Sequence, residues 1–198
     1  MKAENFNIAV KDKISFFNKT INVDSDKSLS IRSFLLGSIS ENISYVNNVL
    51  ESDDVKSTIA VCRKLGVKIN KIKSQSYKIF GNGLGSLSIK KNSKLNFANS
   101  GTLARLIIGI LSTTPNIQVK ITGDHSLNKR NMKKLIDLTA KFGATFLPKN
   151  KDKFPLTMIS SEMPIGIEYK AGVSAQLKSA AILAGLNSYG DTIIKEKV

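Results

Sequence analysis

Three segments of the sequence share a small residue that is followed, four positions later, by a positively charged one. The segments begin at Ser28, Gly101 and Ser174, and their cations are Arg32, Arg105 and Lys178. They are separated by a constant 73 residues and align without gaps. Each continues as an apolar stretch of about ten residues, a length more typical of a helix than of a strand. The spacing therefore predicts three equivalent helices, each with a cation near its start.

A cation in the first turn of a helix is normally unfavourable, because the unpaired N–H groups there already carry a partial positive charge. Side chains on a helix lean toward its N-terminus, so Arg32, Arg105 and Lys178 can each reach back toward that end. A bound phosphate or carboxylate would gain backbone donors, the helix dipole and the cation together. The pattern therefore predicts that these cations converge on a small molecule with several negative charges.

An ordinary structural role also explains any one of these helix starts. Ser28 and Ser174 are common N-cap residue types, and long cationic side chains often extend into solvent. The same conflict with local preference nevertheless occurs three times in one register, and such conflicts concentrate at functional sites. The recurrence favours a binding site over three unrelated caps.

Two further helices and a series of short strands surround these segments. The segments that open at Asp53 and Asn131 have apolar residues at helical spacing and end at Gly66 and Gly143, where glycine is the usual residue after a helix. Short stretches of alternating polarity are interpreted as strands. These stretches span 43–50, 67–72, 77–80, 87–89, 117–121, 144–147, 157–159, 165–169 and 192–194.

The predicted elements repeat in the order strand, helix, strand, helix and two strands, with a glycine-rich turn at 81–85 before the last strand of the first unit. A domain of such stacked βαβαββ units belongs to the α/β class. The third unit has its first helix and the next strand, and the sequence ends at Val198, where its second helix is expected. We therefore expect the third unit to be incomplete in this sequence.

The composition is that of a globular chain with a strong excess of positive charge. Its 198 residues include 30 lysines and arginines against 15 aspartates and glutamates, a formal charge of +15, which favours an anionic ligand or partner. The lysines are scattered without interleaved aromatic residues, so we expect a solvated surface rather than a platform for stacking bases. With one cysteine, Cys62, and one histidine, His125, neither a disulfide nor a zinc site is expected. The absence of a long apolar run or signal-peptide core predicts a cytoplasmic location.

Four motifs occur in order along the chain. They are Asp26-Lys27-Ser28-Leu-Ser30-Ile-Arg32-Ser-Phe-Leu-Leu-Gly37, then Gly81-Asn-Gly83-Leu-Gly85 with Asn99-Ser-Gly101-Thr102-Leu-Ala-Arg105-Leu, then Thr122-Gly123-Asp124-His-Ser126-Leu127-Asn-Lys129-Arg130, and Ser174-Ala-Gln176-Leu-Lys178-Ser179-Ala. These motifs and their order resemble those of the EPSP synthase family of enolpyruvyl transferases. Together they extend over nearly the whole chain. The sequence is therefore similar to the amino-terminal part of such an enzyme.

The resemblance implies roles for ten residues. Lys27 would be catalytic and would contact both substrates. Shikimate 3-phosphate would be bound by Lys27, Ser28, Arg32, Ser174, Ala175 and Gln176, and phosphoenolpyruvate by Lys27, Gly101, Arg130 and Gln176. Gly101 would lie against phosphoenolpyruvate and govern access of the inhibitor glyphosate. Asn99 and Arg105 would keep the loop in shape.

The resemblance also implies a reaction and a fold. In this family the 5-hydroxyl of shikimate 3-phosphate adds to an activated phosphoenolpyruvate and the adduct expels phosphate, a step of chorismate and aromatic amino-acid biosynthesis that uses no metal or organic cofactor. The fold would be an inside-out α/β barrel of βαβαββ units in residues 23–198, while residues 1–22 would form a strand segment of a second domain. Because the family's active site lies between two domains, we expect the chain to be inactive alone. We also expect a monomer at full length.

Two other functions share part of this pattern. The sister enolpyruvyl transferase that acts on UDP-N-acetylglucosamine has a similar fold, but it uses a Lys-Asn start and a loop cysteine, both of which this sequence lacks at the corresponding positions. A basic nucleic-acid-binding module resembling the RNA 3′-phosphate cyclases would contain similar repeats. Nucleic-acid binding that falls steeply with salt would favour that module. We expect small-molecule substrates instead, with no nucleic-acid or membrane partner.

Overall fold

The computed structural model describes residues 24–196, so the predicted segment 1–22 lies outside the described residues. The helices in this range are α1 (Lys27–Ile39), α2 (Asp53–Lys64), α3 (Gly101–Thr113), α4 (His125–Lys129), α5 (Lys133–Lys141) and α6 (Ala175–Gly185). The strands are β1 (Ile43–Val46), β2 (Lys68–Lys73), β3 (Ser76–Phe80), β4 (Lys94–Asn96), β5 (Gln118–Thr122), β6 (Thr145–Leu147), β7 (Leu156–Ile159), β8 (Glu168–Ala171) and β9 (Ile193–Glu196). None of the helices found between 24 and 196 has the length and apolar character needed to cross a membrane.

The three repeat helices begin at polar N-caps. The caps are Asp26 for α1, Ser100 for α3 and Ser174 for α6, and each side chain accepts a hydrogen bond from the N–H three residues on, at 2.6 to 3.4 Å. All three predicted helices are present. Ser28 does not serve as a cap, because Asp26 holds that position and its carboxylate accepts a hydrogen bond from the Leu29 N–H, and Lys27 becomes the first helical residue.

The strands form three sheets that follow the repeat. The first sheet has the order β1-β3-β2 with antiparallel pairs. The second has the order β4-β5-β7-β6, in which β4 and β5 run parallel and the other pairs antiparallel. β8 and β9 pair in parallel, as β4 and β5 do. The second unit thus has the predicted βαβαββ order, with the short α4 added, and the third unit shows its beginning.

The repeat helices lie inside and the sheets outside. Nearly all of α3 is buried, and it packs on α6 so closely that a Cβ built at Gly109 would lie 2.6 Å from the carbonyl oxygen of Ala180. The first sheet buries one face and exposes the other: Ile79 of β3 is fully buried, whereas Tyr45 of β1 is exposed. This layering agrees with the expected inside-out barrel and leaves the helix ends to form sites.

The strand predicted at 87–89 is wrong. Leu87 is buried, but the Ser88 N–H donates to the carbonyl oxygen of Leu65 after α2, so these residues join no ladder. The alternation of apolar and polar residues at 87–89 arises because one side of this segment packs against the protein and the other faces solvent. The ladder is formed by β4 instead, a short polar strand that hydrophobic alternation does not indicate. Helix α4 was not predicted either, because five residues are too few to show a helical period.

Lysines of the first sheet lie beside aromatic rings, contrary to the expectation from sequence. Lys68 Nζ and Lys78 Nζ lie 4.9 and 5.0 Å from the centre of the Phe80 ring, and Lys78 Nζ lies 5.5 Å from that of Tyr45. Lys68 is opposite Phe80 and Lys78 opposite Tyr45 on neighbouring strands. Cross-strand register, which the linear sequence does not display, therefore creates two of these contacts, whereas Lys78 and Phe80 lie two residues apart on β3. Each contributes about 0.5–1 kcal/mol at an exposed position.

Glu51 ties the loop before α2 to the first sheet. Its carboxylate accepts a hydrogen bond from the Tyr77 hydroxyl at 2.6 Å and pairs with the Lys71 ammonium at 2.7 Å. The hydrogen bonds from Lys71 and Tyr77 lower the pKa of Glu51 from 4.5 to about 2. Because the pKa is lower in the folded state, the ionised carboxylate stabilises the fold fully above pH 4.5, and this stabilisation is lost as the pH falls toward 2.

We expect Glu51→Gln to lower the melting temperature at neutral pH and to flatten its fall on acidification, because the amide cannot take up the proton that breaks the network. Thermal denaturation followed by circular dichroism across the acid range measures both effects. Glu41→Gln removes an exposed carboxylate and should retain the wild-type pH profile. An unchanged acid slope in Glu51→Gln would contradict the role of this network.

Candidate functional site

Four helices begin around one cavity of about 520 Å³. The cavity is lined by residues from the first turns of α1, α2, α3 and α6, together with two loop residues. The lining residues are Lys27, Asp54, Asn99, Gly101, Thr102, Arg105, Arg130 and Gln176. Helix N-termini present unpaired N–H groups and partial positive charge, so their convergence creates a cavity suited to anions.

The cavity has three cations and one carboxylate. Lys27 Nζ pairs with Asp54 Oδ2 at 2.9 Å. The guanidinium groups of Arg105 and Arg130 both lie beside Gly101, and both burial and the charge of Arg130 lower the pKa of Arg105. A bound anion would relieve the repulsion between the two guanidinium groups.

Gly101 makes room for both arginines. A Cβ built at this position would lie 2.7 Å from Nη1 of Arg130 and 2.8 Å from Nη1 of Arg105. Arg105 Nη1 also donates to the Gly101 carbonyl oxygen at 3.0 Å, which holds its guanidinium beside the start of α3. Any side chain at this position would therefore displace a guanidinium group. The resemblance implies that such a side chain would also intrude on bound phosphoenolpyruvate.

The turn between β5 and α5 brings Arg130 to the cavity. Asp124 caps α4 by accepting a hydrogen bond from the Leu127 N–H at 2.7 Å, and the Leu127 side chain is fully buried. Gly123 allows this turn to pack on the preceding loop, since a Cβ there would lie 2.7 Å from the Ala98 carbonyl oxygen. The short helix α4 then ends with Arg130 as its C-cap. The Thr-Gly-Asp motif thus builds the turn that places Arg130 at the cavity.

Asn99 holds the Arg130 side chain in place. Its Oδ1 accepts a hydrogen bond from Arg130 Nη2 at 2.8 Å. The loop that carries Asn99 is itself fixed, because the Phe97 N–H donates to the Thr122 carbonyl oxygen at 2.9 Å and Ala98 adopts a positive φ of 48°. The loop-shaping role of Asn99 stays a prediction. Asn99 would fulfil it through its hydrogen bond with Arg130.

Gln176 enters the cavity from α6. Its Nε2 donates to the Thr102 hydroxyl at 3.0 Å and so connects the starts of α6 and α3. Ser174 and Ala175, the cap and first residue of α6, lie at the same helix end. The structure therefore brings the start of α6 to the cavity through Gln176.

Two of the three repeat cations do not line the cavity, so the predicted convergence of all three is wrong. Arg32 is the sixth residue of α1, one and a half turns from the helix start, and it donates to the Ser28 carbonyl oxygen at 3.2 Å and to the Ser179 hydroxyl at 3.3 Å. Lys178 pairs with Glu196 of β9. Of the three, Arg105 lines the cavity, and Lys27 and Arg130 supply its other cations.

Asp54 and Thr102 line the cavity although no role was predicted for them. Asp54 is the second residue of α2, and an aspartate at a helix start has an ordinary structural explanation. The order of elements α1, β1, α2 indicates that the start of α2 lies near the start of α1. The strand β1 returns the chain between the two helices, so both helices begin at the same end of the unit. Thr102 directly follows Gly101, so the motif itself places it at the start of α3.

The chain's single histidine and cysteine do not contribute to the cavity. His125 is exposed at the start of α4, and Cys62 is fully buried, which raises the pKa of its thiol to about 11. Across the part of the chain that the structure describes, no three His, Cys, Asp or Glu side chains are grouped so that they could hold a metal ion. The charged side chains that line the cavity are those of Lys27, Asp54, Arg105 and Arg130.

Comparison with known proteins places this geometry in one family. Residues 11–198 match the family model of EPSP synthase (3-phosphoshikimate 1-carboxyvinyltransferase). A 3-phosphoshikimate 1-carboxyvinyltransferase from Paramagnetospirillum magneticum is 39% identical over 176 residues, and one from Oceanobacillus iheyensis is 40% identical over 180. These alignments cover 88% and 90% of this chain but 39% and 41% of the relatives. The chain therefore spans about two fifths of the length of these relatives.

The fold gives the same result. A structure of EPSP synthase from Acinetobacter baumannii superposes with a TM-score of 0.82 at 34% identity, over 90% of this chain and 40% of that one. This similarity confirms the enolpyruvyl-transferase-type α/β fold expected from the motifs. The sequence match, the shared fold and the order of the motifs agree, and the chain belongs to the EPSP synthase (3-phosphoshikimate 1-carboxyvinyltransferase) family.

Proposed function

We propose that this chain binds shikimate 3-phosphate and phosphoenolpyruvate as part of a 3-phosphoshikimate 1-carboxyvinyltransferase. Such an enzyme transfers the enolpyruvyl group of phosphoenolpyruvate to the 5-hydroxyl of shikimate 3-phosphate and releases phosphate. The observation that carries the proposal is the cavity at the start of four helices, where Lys27, Arg105 and Arg130 lie together. Relatives that bear this enzyme's name are 39% and 40% identical to this chain over 176 and 180 residues.

Phosphoenolpyruvate fits the side of the cavity formed by Arg105 and Arg130. Paired guanidinium groups offer several charge-assisted donors to a carboxylate or phosphate. The N-terminus of α3 adds backbone N–H groups beside Gly101, where no side chain obstructs the ligand. Gln176 reaches the same cavity from α6, which supports a contact with both substrates.

Shikimate 3-phosphate fits between the starts of α6 and α1. The Ser174 hydroxyl and the Ala175 N–H lie at one helix end, and Ser28 lies in the first turn of α1. A phosphate at these N-termini gains donors from both helices. Arg32 donates to the Ser28 carbonyl oxygen and to the Ser179 hydroxyl, and its proposed contact with shikimate 3-phosphate uses the remaining guanidinium N–H groups.

Lys27 is the proposed proton-transfer group. During the addition step the hydroxyl oxygen bonds to C2 of phosphoenolpyruvate, C3 gains a proton, and the hydroxyl loses one. Arginine stays protonated in proteins, so Lys27 is the cation of the cavity that can exchange a proton. Its position at the start of α1 lets it contact both anionic substrates, whose mutual repulsion the cations offset.

The rest of the active site is proposed to come from the part of the enzyme that lies outside the matched region. More than half of each relative's length is not aligned with this chain, and we propose that a second domain there supplies further acid–base groups. The 198 residues then bind substrate without turnover, which a steady-state assay measures directly. The family and relatives matched do not favour the two alternative functions.

Titration of the chain with shikimate 3-phosphate should raise its melting temperature in a saturable way, because a ligand that binds only the folded state stabilises it. Unphosphorylated shikimate is the matched control ligand and should have little effect. Lys27→Ala should weaken the response. Binding to single-stranded RNA that falls steeply with salt, together with no response to shikimate 3-phosphate, would support the nucleic-acid module instead.

A further inference from the structure

Asp54 is a carboxylate inside a cavity otherwise built for anions. Its side chain is 21% exposed, and its Oδ2 lies 2.9 Å from Lys27 Nζ. It is the second residue of α2, where the helix dipole favours a negative charge. A fixed carboxylate in this place competes with any anionic ligand for the Lys27 ammonium.

Helix packing fixes the backbone from which the Asp54 carboxylate extends. Val55, the next residue, is fully buried, and the Asp54 carbonyl oxygen accepts a hydrogen bond from the Thr58 hydroxyl at 2.8 Å within α2. Aspartate also has a short side chain with few rotamers. Lys27, by contrast, has a long flexible stem, and its side chain is 48% exposed. The rigid partner therefore selects among the many positions that the ammonium could otherwise adopt.

The other two cations of the cavity are held in a different way. Arg105 donates to the Gly101 carbonyl oxygen and Arg130 to the Asn99 amide oxygen, so neutral oxygens hold both guanidinium groups. A ligand can approach these arginines without displacing another negative charge. Lys27 is distinct, because its partner carries a full charge of its own.

We infer that Asp54 is a positioning and specificity-determining residue that acts through Lys27, an inference that rests on the proposed function. Asp54 holds the ammonium at the cavity while no substrate is bound and gives it up, or shares it, when a substrate anion arrives. A ligand gains Lys27 only by competing with this carboxylate. The competition disfavours monoanions and favours a phosphate group with two charges, which is selection against the wrong ligand.

Asp53 provides a matched control on the same helix. It is the first residue of α2, its side chain is 98% exposed, and its partner is Lys56 at 3.5 Å. Asp53→Asn and Asp54→Asn remove the same charge from the same helix end. A difference between the two variants therefore reports the contact with Lys27 rather than the loss of charge at the start of α2.

The first measurement needs no ligand. In the 198-residue chain with lysine side chains labelled for NMR, Asp54→Asn should shift and broaden the Lys27 ε-methylene signal, Asp54→Glu should restore most of the wild-type signal, and Asp53→Asn should leave it unchanged. Calorimetric titration with inorganic phosphate and with acetate follows, at constant ionic strength. Asp54→Asn should bind phosphate about two- to fivefold more tightly, and its preference for phosphate over acetate should decrease.

A Lys27 signal in Asp54→Asn that matches Asp53→Asn would overturn the inference, as would equal phosphate affinity in the two variants. Asp54→Asn affinity that falls in parallel with its melting temperature would show a purely structural role and overturn it as well. If the wild-type chain fails to bind shikimate 3-phosphate, the proposed function fails. The NMR comparison still decides whether Asp54 positions Lys27, because it requires no substrate.

Discussion

Arg130→Ala should weaken phosphoenolpyruvate binding by about ten- to a hundredfold, the effect of losing charge-assisted hydrogen bonds to an anion. It should leave the melting temperature almost unchanged, since the side chain is exposed and its hydrogen bond runs to Asn99 at the cavity. Titration calorimetry with phosphoenolpyruvate, in the presence of saturating shikimate 3-phosphate, measures the affinity. Differential scanning calorimetry of the same preparation measures the stability.

Lys129→Ala is the matched control, because it removes an adjacent exposed cation from the last turn of α4. Lys129 does not line the cavity, so its loss should alter phosphoenolpyruvate binding little. Arg130→Lys should give an intermediate affinity, since it keeps the charge but loses the planar pair of donors. Parallel losses of stability and affinity in Arg130→Ala would count against a direct role in binding.

The cavity stores electrostatic repulsion that a ligand can relieve. Arg105 is half-buried beside Arg130, and both its burial and that neighbouring charge disfavour its protonated form. Asn99 and the Gly101 carbonyl oxygen hold the two groups in place without neutralising them. A dianion bound between them would replace repulsion with attraction, so substrate binding and stabilisation of the fold should occur together.

The sequence predicts the repeat and the location of the site because both depend on local signals that recur. A constant spacing of 73 residues aligns α1, α3 and α6, and small polar residues mark their starts. Helix starts that share one register lie at one end of the domain, so an anion site there could be expected. The motif that ends in Arg130 adds the cation that the repeat alone does not indicate.

The different positions of Arg32, Arg105 and Lys178 show the limit of a prediction based on the repeat. Equal positions in the alignment do not give equal environments, because the helices begin one residue later in each successive repeat relative to their cations. Each cation then takes the partner its own surroundings offer: a hydroxyl on α6, a carbonyl oxygen beside the cavity, and a carboxylate on β9. These partners come from distant sequence, and a local pattern does not encode them.

The pair formed by Lys27 and Asp54 illustrates the same limit for binding residues. The two residues are 27 positions apart and belong to different helices, so no motif contains both. Considered without Lys27, Asp54 is simply a favourable negative charge at a helix start. Its second role becomes visible only once the packing of α1 and α2 brings the carboxylate to the ammonium.

The crossing of α3 and α6 supports the whole site, because these helices carry Gly101 and Gln176 at their starts. At the crossing, Gly109 of α3 faces the backbone of Ala180, which is fully buried. A Cβ at Gly109 would lie 2.6 Å from the Ala180 carbonyl oxygen and 3.0 Å from its Cα. Backbone atoms cannot rotate away as a side chain can, so the two helices would have to separate.

Gly109→Ala should therefore lower the free energy of unfolding by about 2 kcal/mol, because overpacking costs more than the ~1 kcal/mol that alanine gains over glycine in a helix. Urea denaturation measures this loss, and weaker stabilisation by shikimate 3-phosphate should accompany it as Gln176 moves away from Thr102. Gly172→Ala is the control, since a Cβ there meets nothing within 4 Å and should leave stability unchanged or slightly increased. Equal stability of the two variants would mean that the helices separate without cost and that their close approach does not hold the site together.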